Sequence, residues 1–183
     1  MLFRSEYSYF FSDEESLAHA TKSLKNMLRG GIYDHLAGGM ARYSTDAQWL
    51  VPHFEKMLYD NALLLRLVSD AYQYTRDEEY REALYQITAF LKEEMKDNSG
   101  GYYAALDADS EGVEGKYYIW SLKEVEEVLG TDADIMAKWF QVTEEGNWEE
   151  QNILHVTNTP EEFCRAHSLE LSAFLTLRKE AVR

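Results

Sequence analysis

An internal repeat constrains the fold of this chain more than any other sequence feature. Residues 30–44 and residues 100–121 each begin with two glycines and continue as a short apolar segment, a turn and a second short segment. Helical patterns flank both copies, and the step from residue 30 to residue 100 is an offset of 70 residues. Common two-helix solenoid repeats span only about 34 to 47 residues. The longer period favours a ring of helical hairpins whose loops at one rim carry small β-hairpins.

The repeat therefore predicts a mainly α fold, a partial α/α toroid with short β-hairpins in its rim loops. The rim loops would be residues 30–52 and 98–121, with hairpins near 32–44 and 102–120. A chain of 183 residues is long enough for one domain with a core and too short for two. Three helix pairs make half a ring, so we expect a single domain over residues 1–183 that forms half of a toroid.

Capping residues mark where the helices begin. Ser12, Asp77, Ser121 and Thr159 can each cap a helix. Pro52 can open another, because a proline in the first turn loses no helical hydrogen bond. The predicted helices cover residues 13–29, 52–74, 77–95, 121–130, 131–140 and 160–182.

Half a ring would leave the outer flanks of its first and last helices uncovered. The apolar residues expected to be exposed there are Leu17, Leu24, Leu171, Phe174 and Leu175. Large apolar patches are rarely left to water. The sequence therefore predicts that the chain self-associates.

Composition excludes several classes of function. A net charge of −15 with no cluster of Lys or Arg argues against a nucleic-acid partner. Cys164 is the only cysteine, so a disulfide within the chain and a cysteine metal cluster are excluded. No apolar run approaches the roughly 20 residues that span a bilayer, and no signal peptide is evident. We expect a cytoplasmic protein without membrane contact, metal or cofactor, since nucleotide-binding and zinc-site motifs are also absent from the sequence.

The helix predicted from Pro52 carries a dense polar stripe. His53, Lys56 and Asp60 are spaced i, i+3 and i+7, so a helix would point all three the same way. A position in the first turn would lower the pKa of His53 and favour a neutral base. Glu55 and Tyr59 form a second pair. The alternative is an ordinary Lys56–Asp60 salt bridge beside a buried, hydrogen-bonded His53.

The rim loops add polar and aromatic groups of the kinds that bind sugars. Asp34, His35, Arg42, Asp46 and Trp49 supply hydrogen bonds and a stacking face in the first loop. The alternative is that the two aspartates cap turns and that Arg42 pairs with one of them.

The second rim loop is acidic. Asp107 and Asp109 resemble the opening of an EF-hand calcium loop, but the twelfth position is Tyr118, where calcium needs a bidentate glutamate. One of the two aspartates could supply the second carboxylate of an acid/base pair across a central cleft. The alternative is a capped acidic turn, and the sequence favours neither.

The chain resembles a known family in several motifs. These are Gly30-Gly-Ile-Tyr-Asp-His-Leu36, Arg42-Tyr-Ser44, Val51-Pro-His-Phe-Glu-Lys-Met-Leu-Tyr-Asp-Asn-Ala62, Ala105-Leu-Asp-Ala-Asp-Ser-Glu-Gly112 and Asn152-Ile-Leu-His155. They are similar to the YyaL-like family, whose animal members are called spermatogenesis-associated, thioredoxin-like-domain proteins. Ala37 stands where a third glycine is common, and Met40 replaces a usual Phe.

The resemblance implies a domain organisation and a fold. Full-length members carry an N-terminal thioredoxin-like domain, which this sequence lacks. Their larger region is similar to the α/α toroids of six-hairpin glycosidases and N-acylglucosamine 2-epimerases. The resemblance implies that residues 1–183 form the first half of that region.

These observations together predict a carbohydrate-processing domain, either an epimerase or isomerase or a glycoside hydrolase. It would use acid/base chemistry on a small molecule of sugar type in a central cleft. The competing hypothesis is a module that binds a peptide or client protein without turnover, alongside a thioredoxin-like domain.

The candidate residues are expected to converge on one polar concavity. The predicted catalytic residues are His53, Asp34, Asp60 and Asp107. The predicted substrate-binding residues are His35, Arg42, Trp49, Lys56, Tyr59, Asn61, Asp109, Lys116 and Trp120.

Overall fold

The computed structural model describes residues 13–182, and within that range the fold is mainly α-helical, as the sequence predicts. The helices are α1 Glu14–Arg29, α2 Leu58–Thr75, α3 Glu78–Glu93, α4 Leu122–Leu129, α5 Ala133–Phe140, α6 Pro160–His167 and α7 Leu171–Ala181, with a 3-10 turn at Gly130–Asp132 between α4 and α5. No helix in the described range is both long and apolar enough to cross a bilayer.

Local capping chemistry defines most of the helix starts. Asp77 accepts from the backbone N–H of Glu79, and Ser121 and Thr159 each form a complete capping box. The first helix begins one residue later than predicted, at Glu14, and its N-cap is Asp13. The predicted cap, Ser12, lies outside the described residues. The helix predicted over 160–182 is two helices, because Ser168 adopts a left-handed conformation that ends α6.

Short antiparallel strand pairs link the loops between the helices. The strands are β1 Tyr43–Ser44, β2 Pro52–His53, β3 Lys56–Met57, β4 Ala105–Leu106, β5 Asp109–Ser110, β6 Val113–Glu114, β7 Ile119–Trp120 and β8 Asn152–Ile153. They pair as β1–β2, β3–β4, β5–β6 and β7–β8.

The hairpin predicted over 102–120 forms only at its centre, where β5 pairs with β6. The flanking strands were predicted wrongly, because β4 pairs with β3 and β7 pairs with β8. In the first rim loop a bridge joins Tyr33 to Met40, and the next strand pair, β1–β2, reaches beyond it. The β3–β4 pair ties the first rim region to the second.

The helix predicted from Pro52 begins six residues later, at Leu58. Residues 52–57 are extended instead, because Pro52–His53 pairs with Tyr43–Ser44 and Lys56–Met57 pairs with Ala105–Leu106. The N–H of Arg42 also donates to the carbonyl of Glu55 at 2.8 Å. Proline is tolerated in a short edge strand as well as in a first helical turn. Pairing with distant segments therefore overrides the local helix signal.

The apolar residues form two large cores and one small cluster. The first core, among α1, α2 and α3, includes Leu24, Val68 and Ile87. The second, among α4 to α7, includes Met136 and Phe174. The small cluster is formed by Phe54, Ala108 and Ile153 of the loop regions.

The predicted exposed flanks of the first and last helices are largely covered. Leu24 is 1% exposed and Phe174 is 2% exposed, so the expectation that they face solvent is wrong. Leu17 and Leu171 are partly buried, and only Leu175 counts as exposed. Each helix is already packed into one of the two cores, because the fold closes locally around three or four helices.

Candidate functional site

The extended segment 52–57 divides its side chains between two faces. Side chains alternate along a strand, so Pro52, Phe54 and Lys56 line a cavity of about 400 Å³. His53 and Glu55 point to the opposite side. We call the first face the inner cavity. The second face is the outer cluster, made by Arg42, Tyr43, His53, Glu55, Tyr59, Asp60 and Glu114.

The inner cavity lies between the two rim loops. Its walls come from residues 31–37 of the first loop, residues 116–120 of the second, and Ile153 and Leu154 of the β8 region. The aromatic rings lining it belong to Tyr33, Phe54, Tyr117, Tyr118 and Trp120. The ionisable polar groups lining it are Asp34, His35, Lys56, Lys116 and Glu124. A volume of this size suits a small molecule.

A buried ion pair forms part of the cavity wall. Lys56 Nζ lies 2.7 Å from Asp34 Oδ2 and 3.1 Å from the carbonyl oxygen of Gly38. The ammonium also lies 4.7 Å from the ring centres of Phe90 and Tyr118. The lysine side chain is 4% exposed and the aspartate side chain 11%. The predicted Lys56–Asp60 pairing is therefore wrong, because Lys56 leaves its strand on the inner face.

Asp34 has little bonding capacity left for a ligand. Its Oδ1 accepts from the backbone N–H groups of Leu36 and Ala37, at 2.9 and 3.0 Å, while Oδ2 accepts from Lys56. The carboxylate thus holds the turn of the first rim loop, as the turn-capping alternative predicts.

His35 is a neutral imidazole beside the cavity. Its Nε2 lies 3.1 Å from the carbonyl oxygen of Gly30, so that nitrogen carries the proton and donates. The ring packs edge-on against Tyr33 and tilted against Phe140. Burial among these groups lowers the pKa of His35 to about 4, although the bond to Gly30 opposes the shift.

The remaining polar groups of the cavity also have partners. Lys116 pairs with Glu111, and this pair is solvent-exposed. Glu124 accepts from the backbone N–H and the hydroxyl of Ser121 in the capping box of α4, each at 2.8 Å. The indole of Trp120 packs against the second core and presents an aromatic surface to the cavity.

The outer cluster is held together by a hydrogen-bonded His–Glu pair and by an Arg–Glu ion pair. His53 Nδ1 lies 2.8 Å from Glu114 Oε1, and Tyr43 stacks on the imidazole with ring centres 5.1 Å apart. Arg42 Nη1 lies 2.8 Å from Glu55 Oε2. His53 is in a strand rather than in a first helical turn, so the predicted effect of a helix dipole on this imidazole is wrong.

Asp60 lies at the edge of the outer cluster, in the first turn of α2. Within residues 13–182 its buried Oδ2 has no hydrogen-bond partner. Burial raises the pKa of this carboxyl, and the Arg42 guanidinium opposes that shift. Tyr59, the preceding residue, is 50% exposed and interacts with the same guanidinium.

Four candidate residues belong to neither group. Asn61 is fully buried and exchanges hydrogen bonds with the backbone of Met40, which fixes α2 against the first rim loop. Trp49 packs against the first core with a positive φ. Asp107 and Asp109 are exposed in the second rim loop.

The expected convergence on a single concavity is thus only partly correct. The inner cavity gathers five of the candidates, Asp34, His35, Lys56, Lys116 and Trp120. His53, Arg42, Tyr59 and Asp60 lie on the other face, because residues 52–57 alternate as a strand. Among residues 13–182 no three His, Cys, Asp or Glu side chains are grouped so as to hold a metal ion.

Sequence reasoning missed several residues at both faces. Glu114, the partner of His53, is 61 positions away in the chain, and no local pattern connects the two. Tyr117 and Tyr118 are recognisable in the sequence as aromatics after the acidic turn, but their place in the cavity wall depends on how the neighbouring strand β7 pairs with the distant β8.

The fold and the cavity define a mainly helical domain with a ligand-sized cavity between two loop regions. No protein-family model matches the chain. The chain is homologous to spermatogenesis-associated protein 20: it is 39% identical to the Homo sapiens protein and 36% identical to the Mus musculus protein, each over 86% of this chain. A Caenorhabditis elegans protein named as uncharacterized is 31% identical over 87% of the chain.

These comparisons confirm the family resemblance carried by the motifs. The chain spans 23% of the length of the human and mouse proteins and 25% of the worm protein. The names of these relatives assign no activity to the region that matches.

Proposed function

We propose that this chain binds a small molecule of sugar type in the inner cavity, as part of a carbohydrate-processing domain with an α/α-toroid fold. One observation carries the proposal: the aromatic rings of Tyr117, Tyr118 and Trp120 line a 400 Å³ cavity together with His35, Lys116 and Glu124. Sugars present apolar ring faces and polar edges, and such a cavity offers a partner for each.

The polar groups of the cavity support isomerase or epimerase chemistry more than glycoside hydrolysis. A glycosidase needs two carboxyl groups flanking the scissile bond, one of them able to donate a proton. Asp34 is tied to Lys56 and Glu124 is tied to Ser121, so neither carboxylate is available for that role. His35 remains as the candidate for proton transfer in the cavity, because its neutral ring can take up a proton, although a pKa of about 4 makes it a weak base.

A second candidate function is binding of a peptide or client protein without turnover, and the exposed tyrosines favour it. Tyr59 and Tyr103 continue the β3–β4 strand pair, in which Leu58 N–H donates to the carbonyl of Ala104. Both rings are about half exposed, as is that of neighbouring Tyr102. Exposed tyrosines next to a strand pair are suited to protein contacts.

Ligand-observed NMR with D-glucose, D-mannose, D-galactose and cellobiose tests the sugar proposal. We expect saturation transfer from the protein to at least one of these sugars. Tyr117→Ala should weaken this signal, because Tyr117 lines the cavity and is 70% exposed. The matched control is Tyr85→Ala, which removes a ring that is 71% exposed and lies outside the cavity.

Two results would contradict the proposal. One is no transfer to any of the four sugars at millimolar concentration. The other is equal loss of signal in Tyr117→Ala and Tyr85→Ala, which would place the contact outside the cavity. Binding of unfolded or peptide probes with loss of affinity in Tyr103→Ala would instead support the second candidate.

A further inference from the structure

The charged groups of the inner cavity balance one another. Two cations, Lys56 and Lys116, and two anions, Asp34 and Glu124, line it. Both cations already have carboxylate partners, Asp34 for Lys56 and Glu111 for Lys116. Among the described lining residues, therefore, an anionic ligand could pair with a cation only by displacing a carboxylate.

The other lining groups do not change this balance. His35 is neutral at pH 7, since burial lowers its pKa to about 4. Burial also raises the pKa of Tyr33 and Tyr118, which keeps both phenols protonated. Among residues 13–182, no cation pairs with the carboxylate of Glu124, which accepts its hydrogen bonds from Ser121. The chain as a whole has a net charge of −15, so its electrostatic field also disfavours the binding of an anion.

We propose that the inner cavity selects an uncharged polyhydroxy ligand and discriminates against phosphorylated sugars and sugar acids. This inference rests on the proposed sugar site and specifies its substrate class. A phosphate or carboxylate would lose hydration on entry and would have to displace a carboxylate to form an ion pair, and it would meet the negative charge of Glu124. Burying an uncompensated charge is unfavourable, whereas hydroxyl groups can exchange hydrogen bonds with water for bonds to the wall.

The experiment compares each neutral sugar with its charged derivatives. Competition NMR would measure the affinity of the chain for D-glucose, D-glucose 6-phosphate and D-glucuronate, and for the corresponding mannose series. We expect each neutral sugar that binds to do so about tenfold or more tightly than its 6-phosphate or uronate.

One substitution isolates the electrostatic cause. Glu124→Gln removes the unpaired negative charge, and glutamine can keep the capping box. In this variant the ratio of the affinity for the neutral sugar to the affinity for its 6-phosphate should fall several-fold. Glu127→Gln makes the same charge change on the outward surface of α4, where Glu127 pairs weakly with Lys123, and should leave the ratio unchanged.

The outcomes separate this inference from the proposal beneath it. Equal or tighter binding of a 6-phosphate or uronate overturns the selectivity while leaving a sugar site in place. A ratio that responds equally to Glu124→Gln and Glu127→Gln also overturns it, because the effect would then come from net charge alone. Absence of binding by every sugar in both series overturns the sugar site itself, and the selectivity with it.

Discussion

Lys56 and Asp34 form a buried ion pair across 22 positions of sequence, with Nζ and Oδ2 separated by 2.7 Å. The pair joins strand β3 to the turn of the first rim loop, and it lies in the wall of the inner cavity. The rings of Phe90 and Tyr118 flank the ammonium and shield it from water. The sequence predicts a catalytic role for Asp34 and a substrate-binding role for Lys56, whereas in the structure the two side chains bind each other.

Removing only one member of this pair should be costly. In Lys56→Met the Asp34 carboxylate stays buried without its cation, so we expect a loss of about 3 to 5 kcal/mol in the free energy of unfolding. The double variant Asp34→Asn with Lys56→Met should recover part of that loss, because no buried charge remains. Urea denaturation followed by circular dichroism measures the free energy of unfolding of the original chain, the single variant and the double variant.

Lys116→Met is the control for that experiment. It breaks the exposed pair with Glu111, which should contribute little to stability because solvent screens it. A cost for Lys56→Met as small as this would mean that water reaches the Asp34–Lys56 pair, contrary to its burial.

The neutral state of His35 should make stability depend on pH. Its pKa is about 4 in the folded chain, below the ordinary value of 6.5. Between these values the unfolded chain binds more protons, so the contribution of the neutral ring is complete above about pH 6.5 and is lost as the pH falls toward 4. Since the ring is only partly buried, we expect a loss on the order of 2 kcal/mol.

His35→Gln should flatten this part of the pH profile. Burial also lowers the pKa of His155, which makes stability fall with decreasing pH in the same direction. The contribution of His35 is therefore the difference between the stability profiles of the original chain and His35→Gln. Thermal unfolding between pH 4 and pH 7 gives both curves, and NMR of the histidine rings gives the pKa of His35 directly. Parallel curves for the original chain and His35→Gln would refute the prediction.

Gly115 should be intolerant of a side chain for a reason that its neighbour Gly112 does not share. Both glycines have positive φ, 72° and 80°. A Cβ at Gly115 would lie 2.4 Å from the ring of Phe54, whereas one at Gly112 would meet nothing within 4 Å. Gly112→Ala should therefore cost about 1 to 2 kcal/mol from backbone strain alone, and Gly115→Ala a further 1 to 3 kcal/mol from overpacking.

This pair of glycine variants reports on the cavity wall. Phe54 lines the cavity and stacks on Tyr118 with ring centres 5.8 Å apart, so displacing Phe54 should also lower sugar binding in Gly115→Ala. Differential scanning calorimetry and the NMR binding assay measure the two effects. Equal stability of the two variants would show that the Phe54 ring moves aside freely.

The sequence by itself determined the helical class and most helix starts. Asp77, Ser121 and Thr159 cap helices as predicted, because a capping hydrogen bond spans only two or three residues. The turn-capping role of Asp34 was also open to prediction for the same reason. The motifs identified the family because many residues in fixed order are rarely shared by chance.

Only the tertiary structure decided the conformation of residues 52–57, and with it the site. A proline followed by polar residues at helical spacing is compatible with a helix, but β-strand partners at 43–44 and 105–106 hold the segment extended. Side chains therefore alternate between two faces with a period of two residues, instead of the 3.6 residues of a helix. His53 and Lys56 consequently lie on opposite faces. The pairs His53–Glu114 and Lys56–Asp34 follow from strand pairing between distant segments, which local sequence patterns do not encode.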